Sequence, residues 1–339
     1  MDLERIDIEL SLLDKEECEN GARNILRKIK PKWNGEQVKF EIFTAGITNK
    51  IFAAFVDEED KVIFRVFGKN TEKIIDRAHE LKSWAVLAEK GLAAPLIGLF
   101  SNGIICGYLP GNNLNVDLVR ETKMQRKIAE AMARMHKISI DSNPKKPCVF
   151  PKILNFILNI SPKFEDSKKQ KQFEEYFTGI DFEKEMNELR EIVEEIDPEI
   201  GFCHNDLLVY NILFDEKSDR LSFIDYEYAD FNYTGFDTGN HFCEWGGVDD
   251  VDFSRCPSID ERREWLREYL KEKKGNQPTN EELEANVRQS DLFMALSHQF
   301  WAVWALVQAQ NSTIDFDYLG YAILRHKTYK EYLLRFLAN

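Results

Sequence analysis

The stretch "GFCHNDLLVYNILFDEKSDRLSFIDYEY" runs from Gly201 to Tyr228. Its segment Cys203 to Leu213 sets His204, Asp206 and Asn211 among residues that are otherwise nearly all apolar. A turn at Glu216 to Asp219 follows, and then the apolar strand "LSFID", which closes on Asp225. The apolar residues would anchor the polar ones on a core, and a site that is not anchored loses positioning. A bare H-x-D-x-x-x-x-N is common by chance. A carboxylate at the end of the next strand is not part of that chance pattern.

The rest of the chain supplies the frame. Its 339 residues suit one large domain or two moderate ones. Hydrophobic residues at 43% and charged residues at 31% describe an ordinary globular chain. A net charge of −14 argues against a duplex-wide nucleic-acid footprint, which needs a basic face. It is compatible with a cationic small substrate. None of the six cysteines forms a C-x-x-C pair, so they read as buried thiols of a reducing compartment, and a cytoplasmic protein is expected. The N-terminus is acidic and lacks the apolar core of a signal peptide. The least polar run, Leu292 to Gln310, carries His298, Gln299 and Gln308. It reads as a buried helix, so no integral membrane segment is expected.

Two halves differ along the chain. "VKFEIF", "IFAAFV" and "KVIFRVF" read as strands. A helix-spaced run follows and stops at Gly91, and "PLIGLF" and "GIICGYL" flank a hairpin signal at Ser101 to Gly103. The order β-β-β-α-β-β is expected up to Tyr108. After residues 109–113, which read as a polar hinge, helices dominate from 114 to 339. Asp166 to Ile196 reads as charged and helical, and Lys271 to Asn280 as a loop. The charged stretch Asp260 to Asp291 fits either a surface helix pair or a lid.

A β-rich N-terminal lobe (residues 1–108), a hinge and a helical C-terminal lobe give an α+β, two-lobed, protein-kinase-like fold. The spacing of His204, Asp206 and Asn211, with Asp225 on the next strand, fits a phosphotransferase catalytic loop. Asp206 would accept or orient the acceptor hydroxyl's proton. Asn211 and Asp225 offer oxygen ligands to Mg2+, a hard cation. His204 would brace the loop. Arg65 on "KVIFRVF" and Glu80 on the following helix would repeat the strand–helix ion pair of kinases, although an ordinary surface pair is an equal reading. "FTAGITNKIF", Phe43 to Phe52, has small and polar residues whose backbone amides suit phosphates.

"FIDYEYADFNYTGFDTGNHFCEW", Phe223 to Trp245, concentrates Asp225, Glu227, Asp230, Asp237 and Glu244 among seven aromatic residues before Trp245. Carboxylates and ring faces together suit a small cation, because a desolvated cation–π contact is worth about 2 kcal/mol. This segment resembles the signature of the choline/ethanolamine kinase family. "HNDLLVYNIL", "AGITNKIF" and "SHQFWAVWALVQAQNSTIDFDYLGYA" resemble its other blocks, so the likeness spans Thr44 to Ala322.

The resemblance implies transfer of the γ-phosphate of ATP, with Mg2+, to an amino alcohol. It implies nucleotide contacts from Thr44, Ala45, Gly46, Ile47, Thr48, Asn49, Lys50, Arg65, Glu80, Gly107, Tyr108, Leu109, Asn113, Leu208 and Asp225. Ala45 stands where the family often has a second glycine. The amine pocket would draw on Asp206, Glu227, Tyr228, Asp237, Glu244, Asp249, Trp301, Trp304 and Tyr321. Family members often dimerise, so a homodimer is among the expectations.

Choline offers no N–H and wants ring faces, whereas ethanolamine offers three donors and wants oxygen acceptors. "CEW" is followed here by Gly246, Gly247, Val248, Asp249 and Asp250, which supply acids where choline kinases place a tyrosine. Leu208, where choline kinases tend to carry Gln, points the same way. Ethanolamine is the expected substrate, with choline or dual activity as the alternative. An aminoglycoside-type kinase would lack the "NHFCEW" block, and a non-catalytic pseudokinase would usually lack one of Asp206, Asn211 and Asp225.

Overall fold

Strand-forming runs in the first third of the chain pair into one twisted sheet in this computed structural model, which describes residues 4–11, 13–33, 37–43, 49–67, 77–139, 145–312 and 314–338. Its strands are β1 (Glu4–Ile6), β2 (Lys39–Phe43), β3 (Asn49–Phe55), β4 (Lys61–Phe67), β5 (Leu96–Phe100) and β6 (Gly103–Gly107), in the order β1-β5-β6-β4-β3-β2. Every pairing is antiparallel except β1 with β5. Period-2 alternation puts Phe52 opposite Phe64, and their rings stack with centroids 5.0 Å apart. Among the described residues this part also holds helices α1 (Lys15–Ile29) and α2 (Arg77–Glu89).

Five strands and α2 match the expected order, whereas β1 and α1 were not anticipated. Asp14 caps α1 by accepting from the Glu17 amide, and Cys18, Ala22, Ile25 and Leu26 give it a buried face. That face joins the core of Phe52, Phe64 and Phe100.

The chain divides into two units: residues 1–112 with 213–228, and residues 113–212 with 229–339. The second segment of the first unit is a hairpin from the middle of the chain. A three-stranded sheet of order β10-β9-β7 contains β7 (Asn112–Asn113), β9 (Ile212–Asp215) and β10 (Arg220–Phe223). Gly111 passes so close to Phe214 that a Cβ would lie 2.7 Å from its carbonyl carbon, and its φ of +124 also calls for glycine. Arg220 donates to the Gly91 carbonyl at 3.1 Å and the Tyr226 hydroxyl to that of Leu92 at 2.7 Å. These bonds fasten the hairpin to the end of α2. The sequence reading placed it within the helical half, because nothing local records such a partner.

The second unit is helical: α3 (Thr122–His136), α4 (Val149–Leu158), α5 (Ser167–Phe177), α6 (Phe182–Glu195), α7 (Thr234–Glu244), α8 (Ile259–Lys274), α9 (Asn280–Asn311) and α10 (Tyr318–Ala338). A two-stranded antiparallel ladder, β8 (Ile200–Cys203) with β11 (Asp230–Tyr233), enters it. The helical stretch expected over Asp166 to Ile196 is broken between α5 and α6, where Asp181 caps α6. Lys271 to Lys274, expected in a loop, form the last turn of α8, which stops at Gly275 with φ 76. Neither lid nor surface pair describes α8, since Trp265, Leu266, Tyr269 and Leu270 are buried and Trp265 packs on Phe242. Helix α9 is long and apolar enough to cross a membrane, but 83% of its apolar window is buried inside the protein. Glycines let α7 lie directly on it: a Cβ on Gly239 would come within 2.7 Å of the Phe293 backbone.

Candidate active site

The loop from His204 to Asn211 leaves β8 on an unusual backbone. Asn205 has φ 65, a left-handed conformation that asparagine tolerates better than most residues. The amides of His204 and Asn205 donate to the two oxygens of Asp237 on α7, at 2.8 and 2.7 Å. Asp237 also bonds His136 Nε2 at 2.9 Å, and His136 Nδ1 meets the Tyr269 hydroxyl at 2.7 Å. Burial works against the Asp237 charge, yet the His136 and backbone hydrogen bonds hold its pKa below the usual carboxylate range. Leu207, Val209 and Ile212 are buried and seat the loop in the core. The Asn211 amide nitrogen donates to the Asp206 carbonyl at 2.9 Å, so the other end of that amide is an oxygen, the donor a hard cation takes.

This arrangement corrects the expected role of Asp237. It was assigned to the amine, but it is fully buried with both oxygens engaged by the loop and His136. His204 is also fully inside. His136, Cys203 and Asp237 converge closely enough to suggest metal ligands. Their polar atoms are already used, with the Cys203 thiol pointing at the Gly201 and Asn232 carbonyls, so the group is a brace.

A second cluster in the same unit surrounds Glu244, the last residue of α7. Arg325 on α10 donates to Glu244 Oε1 at 2.6 Å and through Nε to the Tyr321 hydroxyl at 2.7 Å. Burial, opposed by Arg325, raises the Tyr321 pKa, and the negative charges of Glu244 and Asp206 act in the same direction. Trp301 and Trp304 meet edge to face with centroids 5.3 Å apart. Trp304 and Tyr321 pack against one shared hydrophobic cluster. The Trp301 indole donates to Asn240 Oδ1 at 2.7 Å, and the Ser297 hydroxyl donates to the same oxygen at 2.8 Å.

Asn240 and Arg325 were absent from the expected site. Both had a signal: Asn240 lies in "GNHFCEW", and Arg325 follows Tyr321 by one helical turn on an apolar face. Asp249, expected at the amine, is exposed and accepts from the Tyr210 hydroxyl at 2.6 Å. The Gly246–Asp250 stretch does lack a ring of its own, but Phe253 lies against Gly246, where a Cβ would come within 2.7 Å of it. Leu208 belongs to the catalytic loop, and Asn113 donates to the Tyr210 carbonyl.

In the first unit, Arg65 gathers three carboxylates. It meets Glu80 at 3.0 Å, Asp225 at 2.9 Å and Glu227 at 2.8 Å, while Arg77 meets Glu80 at 2.7 Å. Arg65 is 4% exposed. Burial disfavours its charge, but Asp225, Glu80 and Glu227 outweigh burial and hold the guanidinium charged. Burial pushes Glu227 up to about 7, with the Asp225 charge next and Arg65 opposing. Asp225 has φ 65, again at a position that carries function in the sequence reading. Glu227 belongs to the Arg65 cluster, and Tyr228 is buried; both lie in the first unit. Thr44, Ala45, Gly46, Ile47 and Thr48 lie outside the described residues, and Asn49 opens β3. Lys50 is half-buried beside the Cys18 thiol. Gly107 bonds the Pro95 carbonyl, Tyr108 stacks under Lys61, and Leu109 is half-buried.

Comparison with known proteins follows the same lines. The family model for choline/ethanolamine kinase matches residues 40–330. Ethanolamine kinase 2 of Mus musculus is 39% identical over 315 residues, covering 91% of this chain and 80% of that protein. The structure of an ethanolamine kinase from Plasmodium vivax superposes with a TM-score of 0.81 at 25% identity, covering 95% of this chain and 90% of that one. A choline kinase from Cryptosporidium parvum shares the fold at a TM-score of 0.76 and 21% identity, covering 94% and 96%.

Proposed function

The chain belongs to the choline/ethanolamine kinase family, and from that membership we propose that it transfers the γ-phosphate of ATP to the hydroxyl of ethanolamine, giving phosphoethanolamine. The observation that carries this reading is helix α7, whose Asp237 holds the backbone of the loop that bears Asp206 and whose last residue is Glu244. It joins a catalytic-loop carboxylate to an acidic, aromatic cluster suited to an ammonium group.

Each residue then has a role. Asp206 orients the hydroxyl and takes its proton as the oxygen attacks phosphorus. Asp237 and His136 keep the loop backbone in place, which protects the attack geometry. Glu244 and Tyr321 present oxygens to the ammonium N–H groups. Trp301 and Trp304 offer ring faces to the same charge. In the first unit Arg65, buried and engaged by Glu80 and Glu227, orients the Asp225 carboxylate. The oxygen donors of Asn211 and Asp225 fit Mg2+, which when bound neutralises charge on the phosphates. Six free thiols fit a reducing compartment, and the proposed place of work is the cytoplasm.

The test is ADP release by the purified protein with MgATP and ethanolamine, choline or neither. Ethanolamine-dependent turnover above that with choline is expected. Asp206→Asn should lower kcat roughly 10^2- to 10^4-fold. Turnover with choline equal to or above that with ethanolamine would make choline kinase the better reading, and turnover with neither would remove both.

A further inference from the structure

Arg325 sits behind the acidic and aromatic cluster with all its ends in use. It is 1% exposed. Its three nitrogens reach Glu244 Oε1 at 2.6 Å, the Tyr321 hydroxyl at 2.7 Å and His298 Nδ1 at 3.2 Å. The guanidinium also lies between two rings, 4.7 Å from the Phe253 centroid and 5.0 Å from that of Tyr321. His298 can accept at Nδ1 because it is neutral: burial first, and then the Arg325 charge, holds its pKa well below the ordinary value.

We propose that Arg325 is a positioning residue for the amine and a determinant of which amine is accepted, an inference that rests on the ethanolamine kinase reading. The planar fork fixes the Glu244 and Tyr321 oxygens relative to one another, as an ammonium on a flexible stem cannot. A primary ammonium uses those oxygens, since its N–H bonds are directional. A quaternary ammonium has no N–H and relies on ring faces. One of those faces, Trp301, is held by a hydrogen bond to Asn240, whereas the hydrogen bonds of Arg325 go to Glu244, Tyr321 and His298. Loss of the fork therefore loosens the directional half of the site and spares the ring half.

The experiment compares wild type, Arg325→Lys and His298→Phe. It measures kcat/KM for ethanolamine, turnover of or inhibition by choline, and KM for ATP. Arg325→Lys keeps the charge and loses the fork. His298→Phe keeps a ring and leaves Glu244, Tyr321 and Arg325 in place while removing the acceptor that anchors the third nitrogen of the fork, so it carries the test if the buried Arg variant does not fold. In each variant kcat/KM for ethanolamine should fall about 10- to 100-fold, the size of one or two charge-assisted hydrogen bonds. Affinity for choline should change by less than about 3-fold on the ring-face argument, and KM for ATP should stay unchanged. Equal losses for both amines, or an unchanged ratio, would overturn the inference while leaving the enzyme an ethanolamine kinase. Wild-type protein that acts on neither amine would overturn the functional reading and this inference together.

Discussion

Arg65 illustrates how much of a side chain's meaning lies in its partners. The sequence pairs it with Glu80, a reading no better than that of a surface ion pair. The structure buries it and adds Asp225 and Glu227, residues some 160 positions later in the chain. A buried cation among carboxylates is costly to remove, because the carboxylates stay behind unpaired. Arg65→Leu should destabilise the first unit by about 3–5 kcal/mol, read as a lower urea midpoint. A loss under about 1 kcal/mol would mean that water screens these charges. Asp237 makes the converse point. From the sequence it was one acid among five in an aromatic segment. Its direction on α7 decides that it serves the loop backbone, and no local pattern reports that direction. The H-x-D-x-x-x-x-N spacing was readable because loop contacts such as Asn211 to the Asp206 carbonyl are local.

Helices were legible where apolar periodicity was long and caps were clear. Helix α9 was read as buried from its composition, and a capping box at Thr279 and Glu282 marks its start. A matching box at Ser258 and Glu261 begins α8. Ser258→Ala should cost about 1 kcal/mol in unfolding free energy, and Ser258→Asp should restore most of it. Helix α1 escaped notice because charged and polar residues outnumber the few apolar ones that mark its buried face. The approach of α7 to α9 is a harder matter, since two glycines say little until the facing backbone is known. Gly239→Ala places a methyl against Phe293 and Met294 backbone atoms and should cost about 1–3 kcal/mol or more. A variant with unchanged thermal midpoint would show that the two helices can separate at no cost.

Buried titratable groups give the protein a common response to acid. His136, His241 and His298 are fully buried, and burial lowers the pKa of each, that of His241 to about 4. Unfolded histidines protonate near 6.5, so the unfolded chain binds more protons and stability falls as pH drops below that value. His241 accounts for on the order of 3 kcal/mol between pH 6.5 and 4. Asp237, with its lowered pKa, acts in the same direction at lower pH. Glu227 opposes them: its raised pKa gives stability below about 4.5 that is lost as pH rises toward 7. One group stands against three, so the urea midpoint should be lower at pH 5 than at pH 7.5. An equal or higher midpoint at pH 5 would show these histidines to be charged in the folded state. Residue types and spacings along the chain were enough for the fold class and the family, because strand alternation, helix periodicity and loop motifs are written over a few neighbouring residues. The return of the Leu213–Tyr228 hairpin to the first unit, the duty of Asp237 and the grip of Arg325 on Glu244 and Tyr321 emerged only with the packed chain. They depend on which distant groups share a dry interior, where an unpaired charge is costly and each partner must be found in space.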